Sequence, residues 1–160
     1  MEDLFAEIER GLDAGVYQLA LGMALCIPDL CAALESKNGR TNGIKYQAWY
    51  DKYVDGKMYL TASDCYHIRC SFLHQGSPEQ KPSIKILFIV PSGDSQTHDQ
   101  IMNGALHVDI NIFCQVMIAA GQRWLLEVKD SENYIKNYEK SFKRYSNGLA
   151  PFIAGTAVFA

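Results

Sequence analysis

The chain has 160 residues, of which 48% are hydrophobic and 21% charged, and its formal net charge at pH 7 is -3. This length suits a single domain with a hydrophobic core, so we treat residues 1–160 as one domain. The negative charge argues against a protein that binds nucleic acid through overall basicity. Five cysteines, an odd number without a CxxC pair, predict reduced thiols in apolar surroundings.

The first half of the chain is predicted to be helical. Apolar residues recur at helical spacing over residues 3–36, and Pro28 is expected to kink or restart this helix near Ile27. A Gly- and Asn-rich loop at 36–43 precedes a short aromatic helix at 44–54. Thr61 and Asp64 then have the spacing of a capping box, which predicts the start of a helix over 62–74.

The second half adds a small β element to further helices. Residues 82–93 are β-branched and aromatic between prolines, which predicts a strand, and residues 92–100 read as a loop. A second short strand is expected at 107–108, before Asp109 caps a helix over 110–129. Another helix is predicted over 131–145, followed by an extended apolar tail. The fold class is therefore mainly α with a small β element.

No targeting or membrane-spanning segment is predicted. The first residues are acidic where a signal peptide needs basic ones, and Gln18, Pro28 and Asp29 interrupt the apolar stretch near the N-terminus. The apolar tail is shorter than the roughly 20 residues that cross a bilayer. We therefore expect a cytoplasmic protein that does not insert into a membrane.

Residues 63–76, SDCYHIRCSFLHQG, hold the main functional candidates, Arg69 and His74. Arg69 and His74 are five residues apart, so on a straight helix their side chains point roughly 140° away from each other. They therefore do not easily contact the same atom of a substrate. Two copies of this helix, related by a twofold axis, can together bring an Arg69 and a His74 to one shared site. The pair therefore makes chemical sense as half of a site at a homodimer interface. The plain alternative is two ordinary surface residues of a helix.

This run, preceded by YDKYV and LTA and followed by a helix near DINIFCQ, resembles the HEPN superfamily of bacterial and archaeal helical proteins. The family motif is an Arg, four to six residues and a His near the end of a helix. The resemblance covers roughly residues 3–145. It implies an HEPN-like four-helix up-down bundle that forms a homodimer, with the β element and the extended C-terminal tail as additions.

The resemblance also implies a metal-independent endoribonuclease of the defence or toxin type, with no cofactor. His74 would be the acid–base group and Arg69 the clamp on the phosphate. RNA would be the substrate, and an antitoxin or regulatory protein a further partner. Cys70, directly after Arg69, replaces the polar residue usual in catalytic members. Two alternatives stay open: a non-catalytic dimeric binding or scaffold module, and a structural dimer in which Arg69 pairs with Asp64 or a partner's acid.

Further residues are candidates for parts of a site. His67 lies on the same helix side as His74 and is a candidate for binding substrate. Lys140, Lys143 and Arg144, with aromatic residues between them, suit RNA phosphates or, more simply, form a solvated helix face. His67 and His74 stand about 10 Å apart along the axis, too far to share a metal ion. Cys70 with His74 is a geometrically possible thiol site that no other residue supports. Four aromatic residues are expected in the core: Tyr46, Trp49, Tyr50 and Tyr53.

Overall fold

The structure is a computed structural model that describes residues 1–54, 56, 58–75, 84–91 and 97–160, without the side chains of residues 74 and 75. The described residues form the helices α1 (Glu2–Asp13), α2 (Tyr17–Glu35), α3 (Gly43–Tyr53), α4 (Ala62–Gln75), α5 (Ile110–Val128) and α6 (Glu132–Glu139). They also form the strands β1 (Lys85–Ile89), β2 (Gln100–Met102), β3 (Ala105–Asp109), β4 (Arg144–Tyr145), β5 (Gly148–Leu149), β6 (Ile153–Ala154) and β7 (Val158–Phe159). The predicted mainly helical fold with a small sheet is confirmed.

Of the two effects predicted for Pro28, a kink or a restart of the N-terminal helix near Ile27, the restart is wrong. The chain turns between α1 and α2, where Gly15 has a φ of +72° and Val16 N–H donates to Gly11 O at 2.8 Å. These are the left-handed residue and the long hydrogen bond of a Schellman ending. Helix α2 instead continues through Pro28, which is buried. Burial of the surrounding apolar residues outweighs the hydrogen bond that the proline cannot donate.

Helix α2 is the centre of the fold and packs against α1, α3, α4, α5 and α6. The aromatic residues of α3 are buried against it, as predicted, and the Tyr46 hydroxyl donates to Leu25 O at 2.9 Å. By length and composition α2 is apolar enough to cross a membrane, but most of it is buried inside the fold. The core helix of a soluble protein has the same character.

The first sheet has the strand order β1-β3-β2, with β1 parallel and β2 antiparallel to β3. The strand predicted at 82–93 is found as β1, and residues 82, 83, 92 and 93 lie outside the described residues, as does much of the loop predicted at 92–100. The strand predicted at 107–108 is confirmed and extends over β3. Strand β2 was not predicted, although Asn103 and Gly104, both with positive φ, form the Asn-Gly turn typical of a hairpin.

The C-terminal part differs from its prediction. Helix α6 ends at Glu139, and residues 144–145, predicted to be helical, pair as β4 with β7. The extended tail is confirmed, and within it β5 pairs with β6. Asp109 caps α5 as predicted, because its Oδ1 accepts from Ile112 N–H at 3.0 Å.

Candidate functional site

The capping box predicted for α4 is present and fixes where the helix begins. Thr61 Oγ1 accepts from Asp64 N–H at 3.1 Å, and Asp64 Oδ2 accepts from Thr61 N–H at 3.2 Å. These two bonds satisfy donors that the first turn of a helix otherwise leaves unpaired. The start of the helix in turn determines its rotation, with Cys65 and Ile68 buried in the core and Arg69 at the edge of the buried face.

Arg69 forms an ion pair with Asp29 of α2, and its Nε lies 2.5 Å from Asp29 Oδ2. The side chain of Asp29 is 8% exposed and that of Arg69 is 21% exposed. Among the described residues neither atom has a well-aligned hydrogen bond, so the attraction between them is mainly electrostatic. The pairing of Arg69 with Asp64 that the sequence suggested is wrong, because Asp64 is engaged in the cap.

Burial governs the titration of the groups around this pair. It raises the pKa of Asp29, while the charge of Arg69 and the hydroxyl of Thr41 act in the opposite direction. It also raises the pKa of the Cys26 thiol, which the charge of Arg69 again opposes. The guanidinium therefore compensates the charge of a carboxylate that has little contact with water.

Cys70 and Tyr66 lie beside the guanidinium on the outer side of α4. Arg69 Nη1 is 4.0 Å from Cys70 Sγ, and a hydrogen bond with Cys70 is the main cause of the raised pKa of Tyr66. The Tyr66 ring lies 5.3 Å from that of Tyr46, and a Cβ at Gly43 would come within 2.9 Å of it. The lack of a side chain at Gly43 thus lets α3 approach the surface next to Arg69.

His74 occupies the last turn of α4, and its side chain lies outside the described residues. By helical geometry its position is turned roughly 140° from Arg69 about the axis. His67 is exposed two residues before Arg69, and its Nδ1 lies 2.7 Å from Ser63 O. Since a carbonyl only accepts, Nδ1 carries the proton, and in the neutral ring Nε2 is the acceptor.

Lys140, Lys143 and Arg144 lie together, but at a different place. All three line a cavity of about 780 Å³ between α1, α2, α6 and the tail. Among the residues that the structure describes, this lining contains neither Arg69 nor Asp29. Lys143 Nζ is 5.3 Å from the centre of the Tyr138 ring, a cation–π distance. The structure therefore groups the three C-terminal cations with one another and not with Arg69.

Comparison of the chain with protein-family models, curated proteins and solved structures gives no match. Within the described part of the chain, no three His, Cys, Asp or Glu side chains come together as metal ligands. What the chain can do must therefore be argued from its own residues.

The sequence reasoning missed Asp29 as a member of the site. Its signal was nevertheless visible, since Asp29 is an acid within the apolar run ALCIPDLCAAL. A carboxylate on a buried helix face needs a cation or several donors. Arg69 is the cation, and only the packing of α2 against α4 identifies it.

Proposed function

We propose that the protein is an HEPN-like, metal-independent endoribonuclease of the defence or toxin type that acts as a cytoplasmic homodimer. Its fold would be a four-helix up-down bundle with the β element and tail added. The observation that carries the proposal is the place of Arg69: half-buried, fixed by Asp29, and five positions before His74 on α4. Cleavage of a phosphodiester next to a ribose hydroxyl requires a fixed cation and a histidine at the same phosphate, which two copies of α4 could supply together.

The ion pair with Asp29 is compatible with a second role for Arg69 at a phosphate. A guanidinium has five N–H donors, and one carboxylate accepts only some of them. Asp29 approaches Nε, while Nη1 is near the weakly accepting Cys70 Sγ. The carboxylate thus holds the side chain in one orientation before substrate binds, which lowers the cost of ordering it in the transition state.

An apolar strip on α4 supports the homodimer. Tyr66, Cys70 and Leu73 stand at i, i+4 and i+7; Tyr66 packs on Tyr46 of α3, Cys70 is half-buried, and Leu73 is 46% exposed. By helical geometry this strip lies between the positions of Arg69 and His74, about 70° from each. In a twofold dimer that forms through this strip, Arg69 on one side of the strip and His74 on the other both lie at the interface. The Arg69 and His74 residues of the two copies would then border one cleft.

The reaction needs two proton transfers and no metal. One His74 accepts the proton of the ribose 2'-hydroxyl as its oxygen bonds to phosphorus. The bond from phosphorus to the 5'-oxygen breaks, and the other His74, protonated, donates to that leaving oxygen. Arg69 donates to the phosphate oxygens as their negative charge grows. The products are a 2',3'-cyclic phosphate and a free 5'-hydroxyl.

The second candidate function is a non-catalytic dimeric binding or scaffold module. The tight contact of Arg69 with Asp29 favours it, because the guanidinium then serves to join α4 to α2. Cys70, which contacts Arg69, is also a weak hydrogen-bond partner where an active site would gain from a polar one. The same residues would in that case bridge the two copies without cleaving anything.

The two candidates are separated by cleavage of a labelled RNA pool in excess EDTA. We expect wild type to cleave, with products ending in a cyclic phosphate, and His74→Ala and Arg69→Ala to lose at least 100-fold in rate. Lys129→Ala, which removes an exposed cation at the end of α5, is the matched control and should cleave like wild type.

Equal cleavage by all four proteins would reveal a contaminating nuclease. Absence of cleavage by a folded, dimeric wild type would refute the ribonuclease proposal for that RNA pool and leave the binding module. Thermal unfolding and the measured mass of each variant ensure that a lost rate is not a lost fold.

A further inference from the structure

The cavity of about 780 Å³ is separate from the Arg69 site and combines two kinds of lining. Its size is in the range of pockets that take small molecules, roughly 300–1,000 Å³. Helices α1 and α2 form one side of the cavity. Helix α6, residues 140–144 and Phe159 form the other side. A ligand of this cavity would be independent of the ribonuclease proposal, because none of the lining residues belongs to the Arg69 site.

The rim of the cavity is strongly cationic. Two acidic side chains, Asp3 and Glu7, and five basic ones line it: Lys37, Lys136, Lys140, Lys143 and Arg144. The local charge is thus +3 in a chain whose net charge is -3. Among the described residues none of the five cations takes part in an ion pair. Such a concentration of unneutralised charge at a concave surface attracts an anion.

The floor of the cavity is aliphatic. Met23, Leu30 and Leu34 of α2 contribute to it together with Leu4 of α1. Met23 and Leu30 are partly exposed there although they lie on the central helix of the fold. Flexible methionine and leucine side chains adapt to an alkyl chain, and they offer no hydrogen bonds to the edge of a nucleobase.

The walls are held in place by hydrogen bonds. The Asn137 side-chain amide donates to Leu34 O at 2.9 Å and to Ser36 O at 2.7 Å, which fastens α6 to the end of α2. Lys143 and Ala160 exchange two backbone hydrogen bonds, at 2.9 and 3.1 Å. Phe142 and Phe159 stack at the rim with ring centres 5.8 Å apart. The cavity is therefore formed before any ligand arrives.

We propose that this cavity binds an anionic amphiphile, a single alkyl chain with a carboxylate or phosphate head. The alkyl chain lies on the aliphatic floor of α2, and the head is held by Lys136 of α6 and by the three cations just after α6, Lys140, Lys143 and Arg144. An RNA backbone fits this cavity less well, because its phosphates would meet the cations while the aliphatic floor stayed exposed to water.

The first test is a fluorescence titration with dodecanoate that carries a nitrobenzoxadiazole group at its far end. We expect saturable binding of one molecule per chain. Dodecyl phosphate should displace the probe, dodecanol should do so at least 10-fold less well, and inorganic phosphate should not displace it. If dodecanol displaced the probe as well as dodecyl phosphate does, the role of charge would be refuted. If inorganic phosphate alone displaced the probe, the role of the aliphatic floor would be refuted.

Variants then locate the site. Lys136→Glu combined with Lys140→Glu should weaken binding of the probe at least 10-fold, and Leu30→Asp should do the same from the floor. Lys85→Glu, which reverses one charge on exposed β1, should have no effect. Where Leu30→Asp does not fold, Met23→Asp repeats the test on the same face of α2. Unchanged binding in these folded variants would place the probe elsewhere and overturn the proposal.

Two further results would also overturn it. One is displacement of the probe by a short RNA, which would make the cavity part of an RNA surface. The other is sedimentation of the protein with vesicles of phosphatidylglycerol and phosphatidylcholine that the double lysine variant abolishes. That result would make the cationic rim a membrane-surface contact and not the entrance to a site for one amphiphile.

Discussion

Arg69 and Asp29 set the character of the candidate site at the scale of single residues. A carboxylate that is 8% exposed would be costly without a cation, and Arg69 supplies one at 2.5 Å. The same contact fixes the guanidinium at the edge of α4. The same position of Arg69 therefore suits both a structural role and the proposed catalytic role, and each role can be tested separately.

The structural role of Arg69 predicts a large loss of stability when either residue of the ion pair is removed. Arg69→Gln should lower the free energy of unfolding at pH 7 by about 3 kcal/mol, because it leaves the buried Asp29 carboxyl without its cation. Adding Asp29→Asn should restore much of that loss, since an amide needs no counter-charge. Urea unfolding of the two single variants and the double variant measures the coupling. Additive effects would show that the two side chains are not energetically coupled.

The raised pKa of Asp29 predicts a pH dependence of defined sign. Burial, only partly opposed by Arg69, raises this pKa above its ordinary value of about 3.9. A carboxyl with a higher pKa in the folded state stabilises the fold most below the unfolded pKa, and that contribution is lost as pH rises through the folded pKa. The stability of wild type relative to Asp29→Asn should thus fall as the pH rises above the ordinary carboxyl pKa of about 3.9. A rise in that relative stability, measured by urea unfolding at increasing pH, would contradict the assigned direction.

At the scale of elements, close approaches to α2 shape the fold. Gly121 of α5 lies where a Cβ would come within 2.6 Å of the buried Phe5 ring and 3.3 Å of Ile27. Helices α1, α2 and α5 can therefore meet only because this position has no side chain. Gly11 of α1 differs, since a Cβ there would be 3.5 Å from Ala20, an ordinary contact.

These two glycines predict stability changes of opposite sign. Gly121→Ala should destabilise the protein by about 1–3 kcal/mol, because the added methyl group overpacks the core. Gly11→Ala should be neutral or stabilising by up to about 1 kcal/mol, because alanine is the better helix former and has room. Thermal or urea unfolding compares the two directly. Equal effects would mean that helix propensity alone determines both.

At the scale of the whole molecule, the proposed activity requires two copies of the chain. Within one α4 the positions of Arg69 and His74 diverge, so in the proposed dimer a partner covers Leu73, the exposed residue of the strip. Binding in the cavity next to α6 does not require a second copy, because the cations and the aliphatic floor of the cavity belong to one chain. Dimerisation should therefore affect cleavage and leave amphiphile binding intact.

A single charge tests this requirement for a dimer. Leu73→Lys should weaken the dimer at least 10-fold and abolish RNA cleavage, because it places an ammonium group in the proposed contact. Leu126→Lys is the matched control, since Leu126 is 71% exposed on α5, away from the strip. Sedimentation equilibrium measures the dimer in both. Dissociation by Leu126→Lys alone would move the interface to α5 and remove the geometric support for the shared cleft.

The sequence by itself determined most of the elements of this protein. Side-chain spacing and caps act within a few residues, so α4 with its Thr61–Asp64 box, α5 with its Asp109 cap, and strand β1 were predicted from local pattern. Local signals were misjudged in three places. Gly15, and not Pro28, divides the N-terminal helices, the Asn103–Gly104 turn indicated β2, and residues 144–145 form β4 instead of extending α6.

Only the tertiary structure decided which residues meet. The pairing of Asp29 with Arg69 joins positions 40 residues apart, and the cavity joins α1 and α2 to the tail. Such contacts depend on how helices pack, which no local spacing encodes. The sequence placed Arg69 and His74 on one helix, but packing around α2 gave Arg69 its counter-charge and put Lys140, Lys143 and Arg144 elsewhere.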